Sequence, residues 1–262
     1  MPTSRLTLTA ALVLCLGCTK RNQDHDVTHE PEHQHDHGHG HGHGHGHDPD
    51  GGAHPDGDNG HGYKGHRFDD PKDWMEHFES AERTAWQRPD ALVASLELPP
   101  DAKIADLGAG TGYFSVRFAA AAPDGQVFAV DIEPGMVEWL TTRAKDEGLA
   151  NLVAVQGEAE DPKLPEPVDV VFMCNVFHHL AEPQVYFEAV AASLRPGARV
   201  IIVDFRKDAA EDAPGPPAAM RMSPADIRAS MEAAGYTLAR EDLELLEHQY
   251  VLEFSVAPAG AS

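Results

Sequence analysis

The chain has 262 residues, 43 of them acidic and 20 basic, giving a net charge of −23. A field of that sign repels nucleic-acid phosphates and anionic headgroups, so no nucleic-acid partner is expected. Of the three cysteines, Cys15 and Cys18 lie at the extreme N-terminus, which leaves Cys174 alone and no disulfide framework.

Residues 1–18, MPTSRLTLTAALVLCLGC, put one positive charge, Arg5, before an apolar run from Leu6 to Gly17. That run has the length of a signal-peptide core and is too short to span a bilayer as a stable helix. The segment resembles a bacterial lipoprotein signal. The resemblance implies cleavage after Gly17, a lipid on Cys18, and a membrane-anchored protein of the cell envelope facing the periplasm. Cys15 stands where that pattern prefers Leu, and the basic region is thin. The competing expectation is a cytoplasmic protein whose apolar N-terminus is not used as a signal.

Residues 19–66 carry no apolar periodicity and hold thirteen of the 17 histidines. Glycine at every second position removes side-chain contacts, so a disordered linker is expected here, with a domain boundary near residue 66. His35, His37, His39, His41, His43, His45 and His47 put many imidazoles within reach of one ion. Imidazole suits divalent transition metals, but nothing sets a fixed geometry. The other reading is a solvated spacer.

Residues 67–262 alternate helix and strand signals. Trp74, Phe78, Ala81 and Ala85 recur at helical spacing and predict one inward stripe of a leading helix. Strands are expected at 103–107, 126–131, around NLVAVQG, at 168–175 and in ARVIIVDF. YFSVRFAAAA reads as a helix, PGMVEWLTTRAKDEG as one stopped by Gly148, and PQVYFEAVAASLRPG as one broken by Pro196 and Gly197. SPADIRASMEAAG follows with Ser223 as its N-cap. YTLAREDLEL and QYVLEFSVA close the chain as two strands. Such alternation predicts an α/β fold: a doubly wound, mostly parallel seven-stranded sheet with a C-terminal antiparallel hairpin. Ligands of such sheets bind at the carboxyl ends of the strands.

The loop IADLGAGTGYF sits at such an end. No lysine follows its glycines, so it is not a phosphate-binding P-loop. Tyr113 stands where a dinucleotide fingerprint needs its third glycine. DLGAGTG, with VDI about 25 residues on, GE after the third strand and NVFHH after the fourth, resembles class I S-adenosylmethionine-dependent methyltransferases, which have a Rossmann-like fold. HHL and the C-terminal QYVLEF look most like the small-molecule, quinone-biosynthesis type.

The resemblance implies S-adenosyl-L-methionine as cofactor and assigns roles position by position. Gly108, Ala109, Gly110 and Gly112 let the backbone approach the methionine part, and Asp106 fixes that loop. Asp131 accepts from the ribose diol, Ile132 covers the adenine, Glu158 and Ala159 flank it, and Asn175 floors the methionine. Glu158 departs from the aspartate usual there. Each acid also has a plain alternative: Asp106 and Asp131 as helix caps, Glu158 as a solvated loop acid. His178 and His179 are candidate general bases beside the reacting methyl group, or else packing residues. The acceptor is expected to be a small apolar or aromatic molecule. The alternative is a membrane-tethered, metal-binding lipoprotein whose methyltransferase fold does no catalysis.

Overall fold

A computed structural model describes residues 75, 78–210 and 212–256. The proposed signal with Cys18, the histidines from His35 to His47, and Trp74 lie outside the described residues. Among the described residues no helix is long and apolar enough to cross a membrane. Nor, among them, does any group of three or more His, Cys, Asp or Glu stand ready to hold a metal ion.

Two short helices lead, α1 (Ala81–Gln87) and α2 (Pro89–Ser95). Then β1 (Lys103–Leu107), α3 (Ser115–Ala121), β2 (Gln126–Asp131), α4 (Pro134–Asp146) and β3 (Leu152–Gln156) follow in strict alternation. The second half runs β4 (Val168–Cys174), α5 (Pro183–Ala191), β5 (Leu194–Phe205), α6 (Pro224–Ala233), β6 (Tyr236–Asp242) and β7 (Gln249–Val256). One seven-stranded sheet results, in the order β3-β2-β1-β4-β5-β7-β6. β1 to β5 pair in parallel, and β7 runs antiparallel between β5 and β6. This is the doubly wound sheet with a closing hairpin that the strand–helix alternation predicts. The order reverses between β1 and β4, so the switch point lies over the β1 loop.

Strand residues alternate between two cores, as a sheet covered on both faces requires. Ile104, Phe172 and Val203 face the side covered by Leu92, Phe118 and Leu140 of α2, α3 and α4. Ala105, Met173 and Ile202 face the side covered by Phe187 of α5 and Ile227 and Met231 of α6. The Phe118 and Phe172 rings meet edge to face at 4.9 Å. Truncating such a buried phenylalanine costs about 3–5 kcal/mol. Local signals also agree with the packing. Ser223 caps α6 and forms a reciprocal box with Asp226, and Gly148, at φ +68°, ends α4.

Two expectations fail. The stripe through Ala81 and Ala85 does not face inward, for both alanines are exposed, whereas Gln87 is buried and Arg83 and Trp86 are half-buried. The cause is a fresh helix start. The Ser80 side chain accepts from the Arg83 amide and opens α1, so the period running from Trp74 and Phe78 does not carry through. Arg88, in the left-handed region at φ 47°, ends α1, and Pro89 begins α2. Pro196 and Gly197 do not break the end of a helix either. α5 has already stopped at Ala191, and both residues sit within β5. The β4–β5 register slips there, from Val168 opposite Leu194 to Val170 opposite Arg199, and Gly197 at φ +82° absorbs the bulge.

Candidate active site

The carboxyl end of β1 is held against that of β2 by its own backbone. The amides of Gly108 and Ala109 both donate to the Val130 carbonyl at 2.9 Å. The Gly110 amide donates to Asp131 Oδ2 at 2.8 Å, and the Glu133 amide to Oδ1 at 3.0 Å. A carboxylate has about four acceptor positions, so Asp131 keeps capacity for a ligand. Burial pushes its pKa up, against the pull of those two amides. Gly108 has φ +70°, and a Cβ there would stand 2.5 Å from Val176 Cγ2. No side chain fits at that point, and the space in front of the loop stays open.

A cavity of about 550 Å³ opens over this loop. Gly108, Gly110, Asp131, Ile132, Asn175, His178 and His179 all line it. A small second cavity of about 20 Å³ lies beside Gly108, Asp131 and Ile132 and is closed by Glu158 and Ala159. The Glu158 side chain is 68% exposed and pairs with Lys163. Asp106, Ala109 and Gly112 line neither cavity. Asp106 is buried behind the loop, where Ser115 Oγ donates to it at 2.6 Å. Burial pushes its carboxyl up to about 7. Gly112 serves packing, since a Cβ there would stand 2.8 Å from Leu140 Cδ2.

The floor comes from the end of β4. Asn175 has φ +62°, and its amide donates to the Val203 carbonyl at 2.9 Å. The chain then makes a single tight turn, Phe177–His179. His178 Nδ1 meets the carboxylate of Asp204 at 2.9 and 3.0 Å, and the two side chains are 3% and 0% exposed. The Phe205 amide also donates to Asp204 Oδ1, at 2.8 Å. With the carboxylate ionised, the shared proton sits on Nδ1 and the lone pair on Nε2. The neighbouring His179 ring lies 4.2 Å from that of His178. Asp204 is a residue the sequence reading missed. Its signal was a lone acid one position from the end of an otherwise apolar strand, RVIIVDF.

The far wall is apolar. Trp86 and Phe205 meet at 5.8 Å, and Phe78, Met220 and the Pro214–Pro217 turn complete it. The buried Arg221 holds that turn by donating to the carbonyls of Pro216, Ala213 and Arg206 at 2.7, 3.2 and 3.2 Å. Cys174 is buried, and its thiol is pushed up to about 12 by burial, so it offers no thiolate.

Residues 104–197 match a family model described as "Methyltransferase domain". A malonyl-[acyl-carrier protein] O-methyltransferase of Methylococcus capsulatus is 36% identical over 108 residues, 41% of this chain and 38% of that protein. A ubiquinone/menaquinone biosynthesis C-methyltransferase of Shewanella frigidimarina is 28% identical over 123 residues, 46% of this chain and 48% of that protein. The match thus spans less than half the length of these relatives. The crystal structure of a SAM-dependent methyltransferase from Aquifex aeolicus superposes with a TM-score of 0.65 at 23% identity, covering 72% of this chain and 99% of that one. The fold is the Rossmann-like methyltransferase fold.

Proposed function

We propose that this protein is an S-adenosylmethionine-dependent methyltransferase acting on a small aromatic or apolar acceptor that loses a proton as it is methylated. One observation carries the reading. The glycine loop, Asp131 and His178, whose Nδ1 is bonded to the buried Asp204, line one cavity. The residues present fit the cofactor: a cavity of about 550 Å³ over the glycine loop, a carboxylate with free acceptor positions for a sugar diol, and the apolar Ile132 beside it to lie against a flat base. The bound cofactor supplies a methyl group on a sulfonium, an electrophile that needs no acid assistance.

What remains for the chain is orientation, exclusion of water and removal of a proton. Holding two reactants in line accounts for roughly 7–11 kcal/mol of barrier lowering. Trp86, Phe205, Met220 and the proline turn clamp a flat acceptor and keep water out. His178 takes the acceptor's hydroxyl proton on Nε2, and Asp204 holds the ring and balances the charge it gains. His179 supports that ring at its face. The two named relatives are an O- and a C-methyltransferase. A phenol or hydroquinone suits both, because loss of the hydroxyl proton activates the oxygen and the ring carbon beside it.

On the sequence alone we also propose that the His35–His47 run takes up divalent transition-metal ions.

Titrating S-adenosylmethionine and S-adenosylhomocysteine into the folded full-length protein tests the cofactor. Both should bind with micromolar affinity, and a heat signal from neither sinks the reading. Transfer of a labelled methyl group to catechol, 4-hydroxybenzoate or menadiol then tests the acceptor class.

A further inference from the structure

The proline turn of the far wall has little backbone hydrogen bonding of its own. From Pro214 to Pro217 only Gly215 carries a backbone N–H, so the turn is left with carbonyls that need partners. Arg221, 4% exposed, supplies them. Its Nε donates to the Pro216 carbonyl at 2.7 Å, and its Nη2 to those of Ala213 and Pro214 at 3.2 and 3.4 Å. Its Nη1 donates to the carbonyl of Arg206, next to Phe205, at 3.2 Å. One planar fork thus ties the turn to the end of β5.

Gly215 is the point where this turn presses on the Phe205 ring. It has φ +108°, and a Cβ there would stand 2.5 Å from both Cδ1 and Cε1 of Phe205 and 2.8 Å from Cγ. The shortest of these is about 1 Å inside ordinary carbon–carbon contact. The Phe205 backbone cannot withdraw, because it is paired with Gln249 in the sheet. The turn cannot withdraw either, because Arg221 grips it. Trp86 and the Arg221 guanidinium, each 5.8 Å from the ring, leave no room beside it. The empty space next to the ring is the cavity it lines. A side chain at 215 would therefore drive the ring into the cavity, and the bare backbone there keeps the cavity wide.

We propose that Gly215, held in place by Arg221, sets the size limit of the acceptor pocket by seating the Phe205 ring back from it, and that the space so kept takes a ring substituent or a second fused ring of the acceptor. The proposal rests on the reading of an aromatic acceptor and narrows it, from any phenol or hydroquinone to one larger than a single bare ring. Gly215 is a positioning residue that acts through Phe205, and Arg221 acts through Gly215.

The test titrates menadiol, kept reduced, and catechol, a single ring, into the full-length protein loaded with S-adenosylhomocysteine. Wild type should bind menadiol more tightly. In Gly215→Ala the ratio of menadiol to catechol affinity should fall at least tenfold, the scale that a single carbon commands in a closed apolar pocket. S-adenosylhomocysteine affinity should stay within twofold, which also shows that the variant is folded. Phe205→Ala removes every atom that the new Cβ would meet. In that background Gly215→Ala should leave the ratio unchanged within twofold, whereas backbone strain at φ +108° would persist without the ring. The proposal is overturned if Gly215→Ala lowers the ratio less than tenfold, or if its effect persists in the Phe205→Ala background. Wild type that binds catechol as tightly as menadiol overturns it as well. Wild-type protein that binds S-adenosylhomocysteine and neither diol overturns the aromatic-acceptor reading itself, and the size limit with it.

Discussion

The two sides of the cavity are built in different ways. The side at β1 and β2 is made of backbone: amides of Gly108, Ala109 and Gly110 bonded to Val130 and Asp131, all within about 25 residues of chain. The opposite side is made of side chains from separate places: Trp86 on α1, Phe205 at the end of β5, and Met220 and the proline turn beyond it. A backbone wall cannot be reshaped by exchanging side chains, so it suits one constant ligand. A side-chain wall can be recut residue by residue, so it suits whatever ligand varies between related proteins.

If that contrast holds, damage to the first wall should abolish cofactor binding, and damage to the second should spare it. Gly108→Ala forces a Cβ to within 2.5 Å of Val176 Cγ2 at a left-handed φ of +70°. Calorimetry should show S-adenosylhomocysteine affinity reduced by at least 100-fold, with Val176→Ala in the same chain restoring part of it. Asp131→Ala removes both the ligand contact and the tie to the Gly110 amide. Its loss should be 10- to 100-fold, and unchanged affinity would show that Asp131 is only a cap.

At the floor, Asp204→Asn keeps an acceptor for the Phe205 amide but turns an NH2 toward His178 Nδ1. The imidazole then carries its proton on Nε2, the wrong tautomer for a base. kcat toward the best phenol of the panel should fall roughly 100-fold or more, with cofactor affinity unchanged within twofold. Trp86→Leu should raise KM for that phenol about tenfold and leave kcat and cofactor affinity near wild type. A cofactor defect in either variant would erase the distinction between the walls.

The smallest expected effect concerns stability. The buried Asp106 titrates near 7 in the folded protein, above the value of about 3.9 for an unfolded aspartate. Its contribution to stability is complete below pH 4 and fades as pH rises through 7. Asp106→Asn, which still accepts from Ser115, should lose less melting temperature than wild type between pH 5 and pH 8, by several degrees. Parallel melting curves would show that Asp106 ionises without penalty.

The backbone wall was legible in the sequence because its determinants are local. Glycines that must adopt positive φ, and an acid at the end of a strand, leave their mark within a few positions. The side-chain wall was less so. Arg83, Gln87 and Gln249 meet only because β7 returns antiparallel beside β5, which brings residue 249 next to residue 175. No spacing in the chain announces that meeting. The leading helix was misread for a related reason. Apolar periodicity named Ala81 and Ala85, but the buried face of α1 carries a glutamine, and beside it lie an arginine and a tryptophan that serve the cavity. Asp204 lies between these cases. It was visible as an acid in an apolar strand, but it acquires meaning only once β4 and β5 are known to be neighbours.

Arg221 bears on how quickly ligands come and go. Its guanidinium already grips four carbonyls around the proline turn, and its cation sits 5.8 Å from the Phe205 ring. An acceptor arriving at this wall finds it in shape and has little loop to immobilise, so entry should be governed by diffusion into the mouth. On the proposed function, discrimination between good and poor acceptors would then be exercised on departure, through residence time, with a poor fit shed before its proton is taken.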